Sequence, residues 1–347
     1  MLRKGVPRKL IPMIHPQFSL VLQHWPYRRP FFISRGELHT QTLLHATATL
    51  GELTLQGEGE QHESDQGLSE QALLRGRAAL EWLSEDTSRA NLRARLPADG
   101  MRNALDAMLW DLECKRLGLR AWELAGLQDV SAASRFRSLM TVTLDHPDAM
   151  AAQARAWGSP LTIKVKLGDR GANGLDRDIE RLVAVAEAAP TSTLTVDPNE
   201  GWSVAGLCRF AEAVAGLPVA LIEQPLPAGQ EDLLPSIDIP VAADESCTTL
   251  ASLAGLAGKV QYVNLKLDKC GGLTEALRMC DEAQRLGLRL MVGCNCGTSL
   301  AMAPAFLIAS RCEFVDLDGP LHMRNDRAPS MHYVDGCLCA PDAALWG

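Results

Sequence analysis

The sequence predicts a β/α barrel preceded by an α+β domain. Three observations carry this. The chain first alternates apolar and polar residues with period two, then turns to helical periodicity. From Leu139 onward, short apolar strands alternate with amphipathic helical segments. Most of those strands end in a lysine or a carboxylate, and in a β/α barrel chemistry collects at the C-terminal ends of strands.

The elements follow in chain order. Met1 to Pro16 carries Arg3, Lys4, Arg8 and Lys9 but no apolar h-region and no small-residue cleavage site. Residues 1–17 therefore read as a loose tail or an over-extended start, not a signal peptide. From Phe18 to about Glu60 the alternation is that of antiparallel strands, with His39–Leu44 and Ala46–Leu50 read as a hairpin or meander. After Gly67 the period is helical. Ser69–Trp82 is one helix, with Ser69 as its N-cap. Arg102–Leu117 is a second, with Ala104, Leu105, Met108, Leu109 and Leu112 on one stripe and Gly118 ending it. A sheet followed by helices gives an α+β domain over residues 18–135.

The barrel is expected over residues 136–325. Its strands are Leu139–Leu144, Thr162–Leu167, Thr193–Asp197, Val219–Glu223, Val241–Asp244, Tyr262–Lys266, Arg289–Gly293 and Phe314–Asp318. They recur at roughly 20–30 residues, the repeat of a β/α barrel. Asp178–Ala189 and Leu273–Leu286 exemplify the amphipathic helices between them. Residues 326–347 form a Pro-containing, loop-like tail, free to return to the first domain.

Bulk composition excludes several functions. The 347 residues suit a barrel-sized domain plus a smaller one. A formal charge of −8 argues against a nucleic-acid surface. No apolar run reaches membrane-spanning length. The cysteines follow no framework, and the Cys294/Cys296 and Cys337/Cys339 pairs lack partnering ligands, which argues against zinc. Reduced thiols in the cytoplasm are the expectation.

Lys164 and Lys166 alternate with Ile163, Val165 and Leu167, so the two lysines share one face of a strand. Alone, that pattern fits a charge-protected edge strand. It also fits two buried lysines whose mutual repulsion lowers their pKa values toward the range a base needs. The neighbouring strands favour the second reading. Asp197, Glu223 and Asp244 end three successive strands, which lie about 4.8 Å apart. Three anions that close repel unless a cation sits among them, and hard oxygen ligands on rigid strands suit Mg²⁺. Lys266 ends the sixth strand, on the opposite side of the mouth from Lys166. This geometry fits abstraction of a proton α to a carboxylate: a metal stabilises the enediolate, and one lysine addresses each face of the carbon. Two bases on opposite faces give racemisation or epimerisation.

These residues resemble the muconate-lactonising subgroup of the enolase superfamily. The resemblance runs through Arg102–Leu112, Lys164-x-Lys166, Asp197-x-Asn199, Glu223-Gln224-Pro225, Asp244-Glu245-Ser246 and Lys266-Leu267-Asp268-Lys269-x-Gly271-Gly272. It implies a modified (β/α)7β barrel under an α+β capping domain, with one Mg²⁺ per subunit on Asp197, Glu223 and Asp244. It implies Lys166 and Lys266 as the acid/base pair, and Lys164 as the neighbour that holds the substrate carboxylate and depresses the pKa of Lys166. Asn199 would stand behind the metal ligands.

Within that subgroup Asp316-x-Asp318-Gly319-Pro320 resembles the pair with which dipeptide epimerases hold the substrate's α-ammonium. Two carboxylates at a barrel mouth want a cation. The seventh-strand loop, with Cys294 and Asn295, would face the substrate, and it lacks the acidic residue many relatives carry near Cys296–Gly297. A capping-domain loop of Arg35-Gly36-Glu37-Leu38 would meet the second side chain, with Leu38 nearest and Arg35 a second candidate. The expected activity is a cytoplasmic, Mg²⁺-dependent epimerase that inverts the C-terminal residue of an L-Ala-X dipeptide, by default L-Ala-D/L-Glu, in turnover of murein or other peptides. The runner-up is an N-acylamino-acid racemase or o-succinylbenzoate synthase. A third class is a metal-binding relative that turns nothing over. The partner is a small molecule rather than nucleic acid or membrane, and a homo-oligomer is left open.

Overall fold

A computed structural model describes residues 16–60, 68–158 and 161–347. Residues 1–15, the bulk of the segment read as a loose tail, lie outside the described residues.

The chain opens with a meander: β1 (Gln17–Ile33), β2 (Gly36–Leu50) and β3 (Leu53–Glu60), paired antiparallel in that order. His39–Leu44 and Ala46–Leu50 are one continuous strand, not a hairpin, because alternation runs unbroken through His45. The turns lie at Ser34-Arg35, where Ile33 pairs Gly36, and at Gly51-Glu52, where Leu50 pairs Leu53. In β1 the register shifts between Pro26 and Phe31, since Pro26 and Pro30 cannot donate to a ladder.

Helix α1 (Leu68–Leu83) begins one residue earlier than expected, so Ser69 sits in its first turn rather than at the cap. A short helix not foreseen from sequence, α2 (Arg89–Arg95), is capped by the Ser88 side chain. Helix α3 (Gly100–Leu117) starts from Asp99, whose carboxylate accepts from Arg102 N–H, and stops at Gly118 in left-handed conformation. Ala104, Leu105, Met108, Leu109 and Leu112 pack on Leu44, Ala46 and Leu55 of the sheet. The helix can approach β3 closely because Gly57 and Gly59 lie beneath it: a Cβ on Gly57 would stand 2.2 Å from Ala104 O. The other side of α3 is buried too, and carries Arg102, Asn103 and Asp106 toward the barrel. After α4 (Ala121–Leu124) and β4 (Arg135–Arg137) the barrel begins.

Eight parallel strands follow: β5 (Leu139–Val142), β6 (Thr162–Lys166), β7 (Thr193–Asp197), β8 (Val219–Glu223), β9 (Val241–Ala243), β10 (Tyr262–Lys266), β11 (Arg289–Gly293) and β12 (Phe314–Asp316), in sequence order across the sheet. Between them run α5 (Pro147–Trp157), α6 (Gly174–Ala188), α7 (Val204–Ala213), α8 (Leu253–Leu256), α9 (Leu267–Cys270), α10 (Leu273–Arg285) and α11 (Ser299–Ala309). Alternation sorts each strand. Ile163, Val165, Leu194, Val196 and Ile222 pack outward with the helices. Leu139, Leu221, Ala242, Tyr262 and Met291, with Phe314, form a separate apolar layer. The positions two residues further along these strands are Thr141, Glu223, Asp244, Asn264, Gly293 and Asp316. One face of the barrel wall thus changes from apolar to charged within a single residue pair.

The seam between β5 and β12 is held by side chains. Ser138 Oγ accepts from Leu317 N–H at 3.2 Å, and the Asp318 carboxylate accepts from Thr141 N–H at 2.6 Å. After α12 (Gly319–His322), β13 (Tyr333–Val334) and β14 (Cys337–Cys339) pair with β4. The chain then reaches α3, where Trp346 Nε1 donates to Ala107 O and Gly347 N–H to Asp111. Arg327 makes a 2.5 Å ion pair with the buried Glu58 of β3. No helix among the described residues is long and apolar enough to cross a membrane.

His45 lies in β2 opposite Glu58. Burial, aided by the Arg327 charge, lowers it to about 4. Its folded pKa is below the ordinary 6.5, so its contribution to stability is complete above that pH and is lost as pH falls toward 4. The thermal midpoint is expected to drop with pH across that window, and His45→Gln to flatten the drop. A slope unchanged in the variant would place the acid sensitivity elsewhere.

Candidate active site

β6 lies between β5 and β7, so it is not an edge strand and its lysines are not edge protection. Lys164 Nζ stands 3.0 Å from Asp197 Oδ2, 2.7 Å from Glu223 Oε2 and 2.8 Å from Asp316 Oδ2. Lys166 Nζ lies 2.6 Å from the same Asp197 oxygen and donates to Asn199 Oδ1 at 3.2 Å. On the far side Lys266 Nζ lies 2.7 Å from Asp244 Oδ2. Its partner is the strand-end carboxylate of β9, while Asp268 turns away toward α3. Asn264 Nδ2 donates to Glu223 Oε1 at 2.8 Å, and Gln224 Oε1 accepts from Asp244 N–H, tying adjacent strand ends together.

These contacts reverse one sequence expectation. Burial disfavours a charged Lys164, but Asp197, Asp316, Glu223 and Asp244 outweigh it and hold the lysine well above its usual range. Lys266 is likewise buried and pushed up, chiefly by Asp244. At Lys164 repulsion from a neighbouring ammonium does not set the sign, because three carboxylates lie within 3.0 Å of its Nζ.

The cavity at the mouth is lined by Lys166, Asn199, Lys266, Cys294, Asn295, Cys296, Asp316, Asp318 and Thr141 of the barrel, and by Phe31, Ile33 and Arg35 of the first domain. Leu38 is not among them. It pairs with Phe31 across the sheet and packs on the cluster of Tyr27, Phe31, Ile33 and Met323. Leu38 belongs to β2 rather than to a loop, and Phe31, Ile33 and Arg35 line the cavity in its place. Burial drives both the Cys294 and Cys296 thiols upward, so they act as packing groups.

Asp316 and Asp318 differ. Asp318 accepts from Thr141 N–H and Thr141 Oγ1, and its other close partner is His322 Nε2 at 3.1 Å. Asp316 Oδ2 faces Lys164, while Asp316 Oδ1 is buried with no hydrogen-bond donor on it. Asn295 Nδ2 is also buried without an acceptor.

One group, Lys269, and the partners of Arg35, already a candidate, escaped the sequence reading. Lys269 places Nζ 2.5 Å from Asp244 Oδ1 and donates to Asn264 O, so Asp244 is gripped by lysines on both oxygens. Its spacing of three from Lys266 was the available signal, since one helical turn puts both on one side. Arg35, from the β1–β2 turn, reaches Glu200 at 3.2 Å and Glu245 at 3.0 Å across the mouth, and Ser34 Oγ donates to Asn199 O. Long-range partners of that kind leave no trace in spacing.

Among the described residues no three His, Cys, Asp or Glu side chains stand in ready-made metal-binding geometry. Lys164 Nζ lies between Asp197 and Glu223. The donor chemistry nonetheless fits a hard divalent cation: Asp197, Glu223 and Asp244 are all buried and all oxygen donors. Burial, and then the charges of Asp197 and Asp244, raise Glu223 to about 8, and Glu223 Oε2 meets Lys164 without hydrogen-bond alignment. A cation would relieve that repulsion.

Comparisons with known proteins identify the family. Residues 149–344 match the family model described as enolase C-terminal domain-like. The chain is 37% identical over 325 residues to an L-Ala-D/L-Glu epimerase of Escherichia coli strain K12, covering 90% of this chain and 96% of that one. It is 42% identical over 254 residues to an N-acetyl-D-glutamate racemase of a Pseudoalteromonas species, covering 73% and 78%. Among solved structures it resembles an enolase family member from Agrobacterium tumefaciens with homology to dipeptide epimerases, bound to sodium and L-Ala-L-Glu. The TM-score is 0.89 at 36% identity, covering 96% of this chain and all of that one.

Asp318 satisfies backbone at the barrel seam, so its loss strands a buried N–H. Asp318→Ala is expected to cost about 2 kcal/mol of folding free energy, read as a lower urea midpoint. A midpoint equal to the parent's would remove Asp318 from the seam.

Proposed function

The chain belongs to the enolase superfamily, and from that premise we propose that it is a Mg²⁺-dependent dipeptide epimerase that inverts the α-carbon of the C-terminal residue, by default in L-Ala-D/L-Glu. The observation that carries the reading is the bare Asp316 Oδ1, a buried anionic acceptor on the cavity wall. A substrate α-ammonium satisfies it, whereas a group without a donor leaves it uncompensated.

Asp197, Glu223 and Asp244 would hold the metal. When bound, it supplies stabilisation for the negative charge that grows on the substrate carboxylate as the α-proton leaves. The remaining work falls to side chains. Lys166, held by Asp197 and Asn199, addresses the substrate carbon from the β6 side. Lys266, held by Asp244, addresses it from the β10 side. One removes the proton and the other returns one to the opposite face, so the configuration inverts. Lys164, ringed by carboxylates, firmly cationic and buried behind the cavity lining, would be the charge toward which the substrate carboxylate is drawn. Phe31, Ile33 and Arg35 face the second side chain. Arg35 is a cation at the mouth, already paired with Glu200 and Glu245, so the acidic residue there rests on the relatives. Of the relatives, the Escherichia coli protein bears the L-Ala-D/L-Glu name and the Agrobacterium structure holds L-Ala-L-Glu.

The similarity to the N-acetyl-D-glutamate racemase supports a second reading, racemisation of an N-acylated amino acid. Either substrate is a small molecule. The reading places the reaction in the cytoplasm, which ten unpaired cysteines support, on peptides released from murein or other sources.

Incubation with L-Ala-L-Glu and Mg²⁺ in D₂O is expected to give α-deuterium and the epimer by NMR. Removing Mg²⁺ with chelator is expected to stop both. Lys166→Ala and Lys266→Ala are each expected to cut epimerisation by about 10²–10⁴-fold. No α-exchange with any dipeptide would sink the reading. Asp316→Asn is expected to raise KM for the dipeptide by about tenfold or more, since the negative charge that pairs with the ammonium is lost while the acceptor remains. If N-acetylglutamate is instead the better substrate and is indifferent to Asp316→Asn, the second reading replaces the first.

A further inference from the structure

The α3 helix of the first domain grips the turn that follows Lys266. Lys266 is the last residue of β10; α9 makes one turn, Gly271-Gly272 reverse the chain, and α10 begins at Leu273. The inner side of that turn carries Lys266 and Lys269 onto the two oxygens of Asp244. Its outer side belongs to α3. Asn103 Nδ2 donates to Asp268 Oδ1 at 2.7 Å, and that oxygen also accepts from Glu60 N–H at 2.8 Å. Arg102 donates from Nε to Gly271 O at 3.0 Å and from Nη2 to Cys270 O at 2.5 Å. Asp106 accepts from Thr274 N–H at 3.0 Å and from Thr274 Oγ1 at 2.6 Å, and Trp110 Nε1 donates to that hydroxyl. Residues 102, 103, 106 and 110 lie on one face of a helix.

The turn is moulded to that face. Gly271 and Gly272 both have positive φ, at 77° and 117°. A Cβ on Gly271 would stand 2.2 Å from Arg102 Nε, and one on Gly272 would stand 2.6 Å from Asp106. The grip is buried, with Arg102, Asn103 and Asp106 all nearly inaccessible. Lys166 depends on different anchors, Asp197 and Asn199, carried by the β7 end.

We propose that Arg102, Asn103 and Asp106 of α3, acting through Asp268 and the Gly271-Gly272 turn, are positioning residues for Lys266 alone, so that helix α3 tunes proton transfer at one face of the substrate carbon and not at the other. The proposal rests on the two-base reading above, though not on the dipeptide as substrate. A displacement of the order of an ångström at a reacting group lowers rate by up to about a hundredfold. Here that loss falls on the epimer whose proton Lys266 takes.

The test follows α-proton exchange in D₂O by NMR, started separately from L-Ala-L-Glu and L-Ala-D-Glu with Mg²⁺ and read before the other epimer accumulates. Lys266→Ala first identifies the epimer served by Lys266, as the one whose exchange it abolishes. Asn103→Ala is then expected to slow exchange of that epimer by about tenfold or more, and to leave the other within about twofold. Gly272→Ala strains the same turn from the other side and is expected to give the same asymmetry, which keeps the question answerable if Asn103→Ala does not fold. Asp268→Asn preserves the acceptor and is expected to keep the parent ratio. Equal slowing of both epimers, or slowing of neither, would overturn the proposal. If dipeptides do not exchange at all, the same measurement on D- and L-N-acetylglutamate separates failure of the substrate assignment from failure of the positioning role. Absence of exchange with either class overturns both.

Discussion

Charge compensation out of water is the constraint on which this structure depends. Asp197, Glu223, Asp244 and Asp316 are buried at the barrel mouth, and so are Lys164, Lys166, Lys266 and Lys269. Leaving one member of a buried pair alone costs about 3–5 kcal/mol, so no single group there can be replaced without charging the rest. The same constraint makes the site reactive. Lys164 touches three carboxylates, and Asp244 is held by two lysines. A cation or a substrate carboxylate that enters exchanges partners within a nearly neutral set instead of bringing an uncompensated charge into a dry cavity.

The fold tolerates this because the cluster is confined to one level of the barrel. Alternation puts an apolar layer around Leu221, Tyr262 and Met291 next to it, and the helix-facing residues of the same strands are wholly apolar. Short polar ties such as Asn264 to Glu223 and Gln224 to Asp244 N–H fix the strand ends relative to one another. The first domain supplies the remaining rigidity. Arg35 spans to Glu200 and Glu245, and α3 seats the turn after Lys266. The domain covers the mouth and braces it through the same contacts.

Much of this was legible in the sequence because strands impose a simple rule. Lys164-x-Lys166, Asp197, Glu223, Asp244 and Lys266 each occupy a strand-end position, and parity alone sends them to one side. All eight barrel strands follow from the same rule. The reading fails where a resemblance supplied the placement. The segment assigned to a capping-domain loop by resemblance is in part strand β2, and the cavity is lined by Phe31, Ile33 and Arg35 rather than Leu38. It fails again for effects set by tertiary distance. Two adjacent lysines suggest mutual depression of their pKa values, but the sign for Lys164 is decided by carboxylates contributed by β7, β8, β9 and β12, which no local window contains. Helix α3 carries both kinds of information: its apolar stripe was readable, whereas its polar face has meaning only against a turn about 165 residues away.

Asp316 and Asp318 show how far one motif can divide under such constraints. Both are aspartates at the end of the last strand, and from sequence they form a pair for one ammonium. Asp316 keeps the inward parity of β12, lines the cavity and keeps Oδ1 buried without a donor. Asp318 lies past the strand, where the ladder between β12 and β5 is missing, and its carboxylate takes the Thr141 N–H that a strand partner would have used. It also borders the cavity, so barrel closure and the edge of the substrate site share one residue. Changing Asp318 therefore disturbs the seam whatever the substrate, whereas Asp316 answers mainly to Lys164 and to the ligand. Of the two, Asp318 couples the substrate's amino end to the closure of the barrel, whereas Asp316 couples it to the charge cluster around Lys164.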